Sequence, residues 1–419
     1  MRVLVIGSGA REHALCVALR ADPAVDSLVC APGNAGTDTV AEAKPVDVSD
    51  PNAIADLAMA AAVDLVVIGP ELPLVAGAAD AVRAKGIACF GPSASAARLE
   101  GSKDFAKAVM ASAAVPTAES RTCGGTADIA AALDLFGPPY VVKDDGLAAG
   151  KGVVVTWDRG LAEGHAGSVV GAGHRVVIEE FLAGPEVSLF AVTDGVTIVP
   201  LLPAQDFKRI GDGDTGPNTG GMGAYCPLPW LPRGFVDDVV ARVLRPTVEE
   251  MAGRGTPYAG LLYAGLVLTA VGIRVIEFNA RFGDPETQVV LALLDSPLAG
   301  LLYAAATGTL DEHPPLRWTG KSAVTVVVAA DGYPGSPRTG DEVRGSRGEG
   351  ILHAGTRRGA DGQVLVVGGR VLSVTATGSD LAVARASAYQ RVSTVDFAGM
   401  RFRTDIAAAA VRGDVTASG

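Results

Sequence analysis

The sequence predicts a multidomain chain of α/β and α+β parts, and three observations lead to that reading. Residues 1–92 alternate short apolar runs with helical stretches. Residues 140–279 set glycine-rich and acidic motifs at the ends of strands. The last hundred residues change to short strands followed by one helix.

In the first part, strands are expected over 3–6, 28–30, 65–68 and 87–90, and helices over 12–20, 54–62 and 75–84. Each apolar run is short and ends in Gly, Pro or Asn. That is the pattern of a parallel sheet with crossover helices, whose ligands sit at the carboxyl ends of the strands. Those ends carry Gly7-Ser8-Gly9-Ala10-Arg11-Glu12, Pro32-Gly33-Asn34-Ala35-Gly36 and Gly69-Pro70-Glu71. A long helical stretch over 94–114 leads out of this part. Strands follow over 140–143, 152–156, 175–181 and 186–193, with a helix over 160–170. A polar loop fills 203–226, a helix covers 235–252, and a hairpin runs 262–269 and 273–279. Strands at 323–329, 364–367 and 371–376 then precede a helix over 380–390.

Composition narrows the function. A length of 419 residues allows two to four domains at about 100–200 residues each. A net charge of -11 argues against a nucleic-acid partner, since an acidic surface repels phosphate backbones. Five widely spaced cysteines without a C-x-x-C pair fit reduced thiols in the cytoplasm. Five histidines without ligand spacing give no zinc site. No signal peptide or membrane-length apolar run is present. The 53 glycines cluster where loops approach phosphates.

The motifs sharpen this. Gly7-Ser8-Gly9 follows a strand, but Glu12 stands where a dinucleotide fingerprint needs its third glycine. The turn suits another phosphorylated ligand or serves as a tight turn. Lys143 ends a strand before Gly146-Leu147-Ala148-Ala149-Gly150-Lys151-Gly152, and a second strand begins at Val153. No helix follows Lys151, so this is no P-loop but a flap able to cover nucleotide phosphates, with Lys143 beneath it. Glu179-Glu180-Phe181-Leu182 and Glu186 connect two strands and offer groups for a base and a ribose. Glu277 and Asn279 share one face of a strand and present hard oxygens suited to magnesium. Arg281 lies just beyond, where its planar fork can grip an anion. The glycine-rich polar loop over 206–225 is too long to be a simple connection.

Together these motifs resemble the ATP-grasp enzymes and, among them, the phosphoribosylamine–glycine ligase family. The resemblance runs from Val3 to about Phe402. It is most specific over residues 7–14, 31–36, 99–103, 145–152, 214–225 and 277–287. It implies an N-terminal phosphoribosylamine-binding domain (1–101), an ATP-grasp domain (102–321, with a lid over about 117–181) and a C-terminal α+β domain (322–419). It also implies ligation of glycine to 5-phosphoribosylamine through glycyl phosphate, using ATP and magnesium or manganese. The chain would work as a cytoplasmic monomer on these small molecules, without nucleic acid or membrane.

Residue roles follow from the same resemblance. Lys103, Lys143 and the flap Gly146, Leu147, Ala148, Ala149, Gly150, Lys151 and Gly152 would hold the phosphates. Glu179, Glu180, Phe181 and Leu182 would read adenine, and Glu186 the ribose. Glu277 and Asn279 would bind the metal. Arg281, Asp214 and Lys208 would act in catalysis. Asp212, Asp214, Gly220 and Gly221 would take glycine, Asn218 would contact substrate, and Gly9, Arg11, Glu12, Gly33, Asn34 and Glu71 would face phosphoribosylamine. Two positions depart from the family pattern: Asp144, where relatives commonly carry a small apolar residue, and Phe207, often histidine. A flap over the phosphates leads to one measurable outcome. Adding Mg-ATP should slow hydrogen exchange over residues 146–152; equal exchange with and without nucleotide would count against a closing lid.

Overall fold

The computed structural model describes residues 1–147 and 152–417. The expected parallel sheet is present. Its strands are ordered Glu42–Ala43, Ser27–Pro32, Arg2–Gly7, Leu65–Ile68 and Ala88–Phe90. All its ladders are parallel, with Val5 opposite Cys30 on one side and Val67 on the other. Its central strands are apolar because both faces are covered. The stretch read as one helix over 75–84 is two, Glu71–Ala76 and Ala78–Ala84, because Gly77 at φ 95° takes the left-handed conformation between them. The stretch over 94–114 also divides, at Ser102. Its hydroxyl accepts from Phe105 N–H and caps a new helix, Lys103–Ser112.

Two further sheets face each other across a cleft. The floor is antiparallel, ordered Ile198–Pro200, Glu186–Thr193, Gly260–Thr269 and Gly272–Asn279. The lid sheet is ordered Ser120–Cys123, Val176–Glu179, Tyr140–Asp144 and Val153–Thr156. The helices Thr126–Phe136 and Arg159–Gly171 back it through a small apolar core of its own. The lid therefore packs as a unit, joined to the floor at few points. Thr117 on Val275, Arg274 on Thr117 and Lys143 on Ile276 are among them.

The stretch read as a polar loop over 203–226 is not structureless. Gln205–Asp206 and Gly223–Cys226 join Ser322–Ala329, Arg370–Gly378 and Ile351–His353 in one antiparallel sheet. The C-terminal sheet thus takes two strands from the middle of the chain. Between them a hairpin, Arg209–Gly211 with Thr215–Asn218, projects outward. Arg403, only 1% exposed, pins it: its guanidinium donates to Asp214 Oδ1 (2.7 Å), Arg209 O (3.1 Å) and both Asp405 oxygens. The same guanidinium lies 4.9 Å from the centre of the Phe207 ring. Arg403→Met should cost about 2 kcal/mol, because the buried polar ties are lost while the two aspartates remain open to water. An unchanged urea midpoint would show that the hairpin is held by other contacts.

Candidate active site

The end of the strand Gly272–Asn279 organises the site. Glu277 lies opposite Gly265, where a Cβ would come within 3.2 Å of the Glu277 side chain. Glycine at 265 therefore leaves the carboxylate room. Burial alone would raise the Glu277 carboxyl, but Lys208, Lys143, Lys103 and Arg281 hold it below the ordinary carboxylate value. Glu277 accepts no hydrogen bond among the described residues, and Asn279 Oδ1 receives only a 3.4 Å contact from Arg281. Two hard oxygens on one face, neither saturated, suit a divalent cation bridging phosphates.

The cations around this point are held by acids. Lys143 is 3% exposed and donates to Glu179 Oε2 (2.9 Å) and Ile276 O (3.1 Å). Lys107, which sequence reasoning did not single out, approaches the same Glu179 oxygen at 3.4 Å. Burial lowers its ammonium to about 8 despite the Glu179 charge. Lys103 Nζ donates to Gly146 O at 3.1 Å; burial lowers it as well, with Glu277 opposing. Lys208 pairs with Glu186 Oε2 at 2.5 Å. Burial disfavours its charge, but Asp206, Glu186 and Glu277 together raise it. Asp206 is pushed up to about 8 by burial, which Lys208 opposes and Glu286, Glu186 and Glu277 reinforce.

Arg281 spans two domains. Its Nε donates to Glu71 Oε2 (3.2 Å) and its Nη2 lies 3.0 Å from Glu100 Oε1, while Glu100 Oε2 accepts from Ala280 N–H (2.7 Å). Burial raises the Glu100 carboxyl in spite of Arg281. The Glu71 carboxyl lies below its usual value: burial would raise it, but Arg281 and Arg11 outweigh that. Glu71, expected to face phosphoribosylamine, is thus engaged by Arg281. Glu100 went unassigned from sequence, although it stands within the L-E-G-S-K motif.

The N-terminal turns shape a second cleft of about 730 Å³, lined by Gly9, Gly33 and Asn34 on one side and Thr356, Arg358 and Arg370 on the other. Asn34 builds it: Nδ2 donates to Ser8 O and His353 O, both at 2.8 Å, and Oδ1 accepts from the Gly36 and Thr37 amides. Arg358 and Arg370 come from the C-terminal part and carry the charge a phosphate needs. The adjacent Arg357-Arg358 pair was the available sequence signal. Glu12 instead caps its own helix, accepting from Gly9 N–H (2.6 Å) and from Arg11, whose Nη1 donates to Phe282 O (3.1 Å).

The remaining candidates divide. Glu180 accepts from Glu119 N–H (3.0 Å), and Phe181 is exposed beside a half-buried Leu182. Gly220 O accepts from Arg370, which also reaches Asp284. Gly221 at φ 107° abuts Pro285, so 220–221 touch the site. Asn218 Nδ2 reaches Val153 O of the lid at 3.5 Å. Asp212 and Asp214 lie elsewhere: Asp212 accepts from Thr404 N–H and hydroxyl, and Asp214 from Arg403. Asp144 turns away from Lys143, accepting from Gly146 N–H and facing His174. Gly152 is placed beside Asp144, its carbonyl accepting the Asp144 amide at 2.8 Å, and Leu147 is exposed. Ala148, Ala149, Gly150 and Lys151 fall outside the described residues.

Three family models match the chain: the phosphoribosylglycinamide synthetase N domain over residues 1–100, its ATP-grasp (A) domain over 101–287 and its C domain over 323–409. The phosphoribosylamine–glycine ligase of Streptomyces coelicolor is 63% identical over 418 residues, covering 98% of this chain and 99% of the relative. That of Mycobacterium leprae is 59% identical over 420 residues, covering 99% and 100%. The solved phosphoribosylamine–glycine ligase of Thermotoga maritima superposes with a TM-score of 0.84 at 34% identity, covering 97% of this chain and 100% of that one. The biotin carboxylase domain of Hydrogenobacter thermophilus 2-oxoglutarate carboxylase shares the fold, with a TM-score of 0.71 at 16% identity over 96% of this chain and 91% of that one.

Glu277→Ala and Asn279→Ala should each raise the magnesium concentration needed for half-maximal rate, because each removes one oxygen from a shared site. Magnesium titrations that coincide with the unmodified chain's for both variants would remove these residues from the metal site.

Proposed function

The chain belongs to the phosphoribosylglycinamide synthetase family, and from that premise we propose how its residues join glycine to 5-phosphoribosylamine with ATP. It is an ATP-dependent carbon–nitrogen ligase of purine biosynthesis, giving glycinamide ribonucleotide. The carrying observation is Arg281. It stands at the end of the strand bearing Glu277 and Asn279, between the lysine-lined cleft and the N-terminal turns.

ATP lies between lid and floor, with Lys103 and Lys143 on its phosphates, the 146–152 flap above them, residues 179–182 at adenine and Glu186 at the ribose. Glu277 and Asn279 would hold magnesium, or manganese in its place, which when bound would supply positive charge against the phosphates. The glycine carboxylate oxygen attacks the γ-phosphorus and ADP leaves. Arg281 faces charge developing on the transferring group. Phosphoribosylamine enters from the cleft formed by Gly9, Gly33, Asn34 and the C-terminal arginines. Its amine attacks the acyl carbon of glycyl phosphate, and phosphate leaves with the bridging oxygen. ATP is required because oxide is a poor leaving group and phosphate a good one. Arg281 must exchange part of its hold on Glu71 and Glu100 for the phosphoryl group.

Lys208, between Glu186 and Asp206, completes the positive charge at the phosphates. No helix among the described residues is long and apolar enough to cross a membrane, and all five cysteines are buried and free. We propose that the enzyme acts as a monomer in the cytoplasm, where purine biosynthesis would supply its small-molecule substrates. Glycine labelled with heavy oxygen in its carboxylate should pass one labelled oxygen to each phosphate released, as mass spectrometry would register. Label in AMP would mean adenylation, and unlabelled phosphate from an actively turning-over enzyme would exclude the acyl phosphate.

A further inference from the structure

The site holds a carboxylate that the steps above do not use. Glu286 opens the helix Glu286–Leu293 and is only 3% exposed. Its Oε1 accepts from Tyr263 OH at 2.6 Å and Ser188 Oγ at 3.0 Å, and those two hydroxyls lie 2.8 Å apart. This bracing fixes the carboxylate plane. The other oxygen, Oε2, receives no hydrogen bond or ion pair among the described residues. It points past Gly283, where a Cβ would stand 2.6 Å from it and 2.8 Å from Phe190 Cζ. Glycine at 283 therefore keeps that oxygen open.

Asp206 lies near it on the strand Gln205–Asp206. Its side chain too makes no hydrogen bond or ion pair among the described residues, and the neighbouring Lys208 is bound to Glu186. Ser188 and Tyr263 brace Glu286 from the floor strands, and Asp284, two residues before it, lines the second cleft, so this carboxylate sits where both clefts meet. Glu286 Oε2 is not among the fully enclosed unpaired side-chain oxygens of the described residues, so it opens to the cleft, where a cationic group can meet it. The lysines and Arg281 match phosphates and a substrate carboxylate; Glu286 matches a positive charge, and a cation bound beside Asp206 would draw that carboxyl, raised mainly by burial, back toward its anion.

Resting on the glycine-ligase reading, we propose that Glu286, with Asp206 beside it, receives the ammonium group of glycine. The substrate's two ends are then sorted by charge: ammonium on Glu286, carboxylate toward Arg281 and the metal ligands. The arrangement also explains chemical order. An amine kept as ammonium carries no lone pair, so it cannot attack glycyl phosphate, and phosphoribosylamine remains the nucleophile. Asp212 and Asp214, engaged by Thr404 and Arg403, do not compete for this role.

The test compares glycine with glycolate, which replaces the ammonium by a hydroxyl. Glu286→Gln keeps an oxygen for Tyr263 and Ser188 but removes the charge. It should raise the KM for glycine roughly 10- to 100-fold, the range expected for losing a hydrogen bond to a charged group. The KM for ATP and the inhibition constant of glycolate should stay as in the unmodified enzyme. Asp206→Asn, at a half-buried position, should shift glycine in the same direction and supplies the answer if Glu286→Gln folds poorly. Equal losses for glycine and glycolate, an unchanged glycine KM, or a shift in magnesium dependence instead would overturn the proposal. Turnover of the unmodified enzyme with glycine and phosphoribosylamine tests the ligase reading separately.

Discussion

Arg281 is the point on which the arrangement depends. One guanidinium reaches Glu71 after the fourth parallel strand, Glu100 in the first linking helix, and Asn279 at the strand end that carries it. Buried charges are stable only when matched, so these segments can approach only together. The same neighbourhood contains Glu12, Arg11 and the Phe282 carbonyl, which close the junction between the N-terminal sheet and the floor of the ATP cleft. Fixing one cation therefore fixes the distance between the two substrate clefts.

The rest of the cleft follows the same logic of matched charge. Lys143 and Lys107 share Glu179, and Lys208 holds Glu186. Each lysine faces an acid across a short contact, a partner that an anionic ligand could replace. On the proposed reading, triphosphate binding would exchange partners rather than bury new charge, which would lower the desolvation cost of binding. Glycines at 265 and 283 serve this arrangement by leaving space beside Glu277 and Glu286.

The C-terminal part does more than cover an end. Its sheet incorporates Gln205–Asp206 and Gly223–Cys226, so the segment carrying Asp206 and Lys208 is held by strands more than a hundred residues away. Arg370 links the 220–221 turn to Asp284, and the hydrogen bond from Asn34 to His353 ties the N-terminal turn to the same sheet. Each cleft is lined by more than one segment of the chain, and neither is complete within one.

Local features were legible in the sequence because their causes are local. Apolar runs of three or four residues bounded by turn residues specified four of the five parallel strands, missing the polar edge strand Glu42–Ala43, and alternation along 277–279 put Glu277 and Asn279 on one face. The strand 186–193 and the strand 65–68 fall where periodicity sets them. What sequence could not decide was which charges meet. Asp212 and Asp214 stand among glycines like ligand residues, yet Arg403, nearly two hundred positions on, engages Asp214. Glu71 looks like a substrate contact until Arg281 is brought beside it, and Glu286 looks like a helix-start residue until Tyr263 and Ser188 brace it. Periodicity reports each residue's relation to its own strand or helix. Ion pairing depends on distance and burial in space, and only the packed chain sets those.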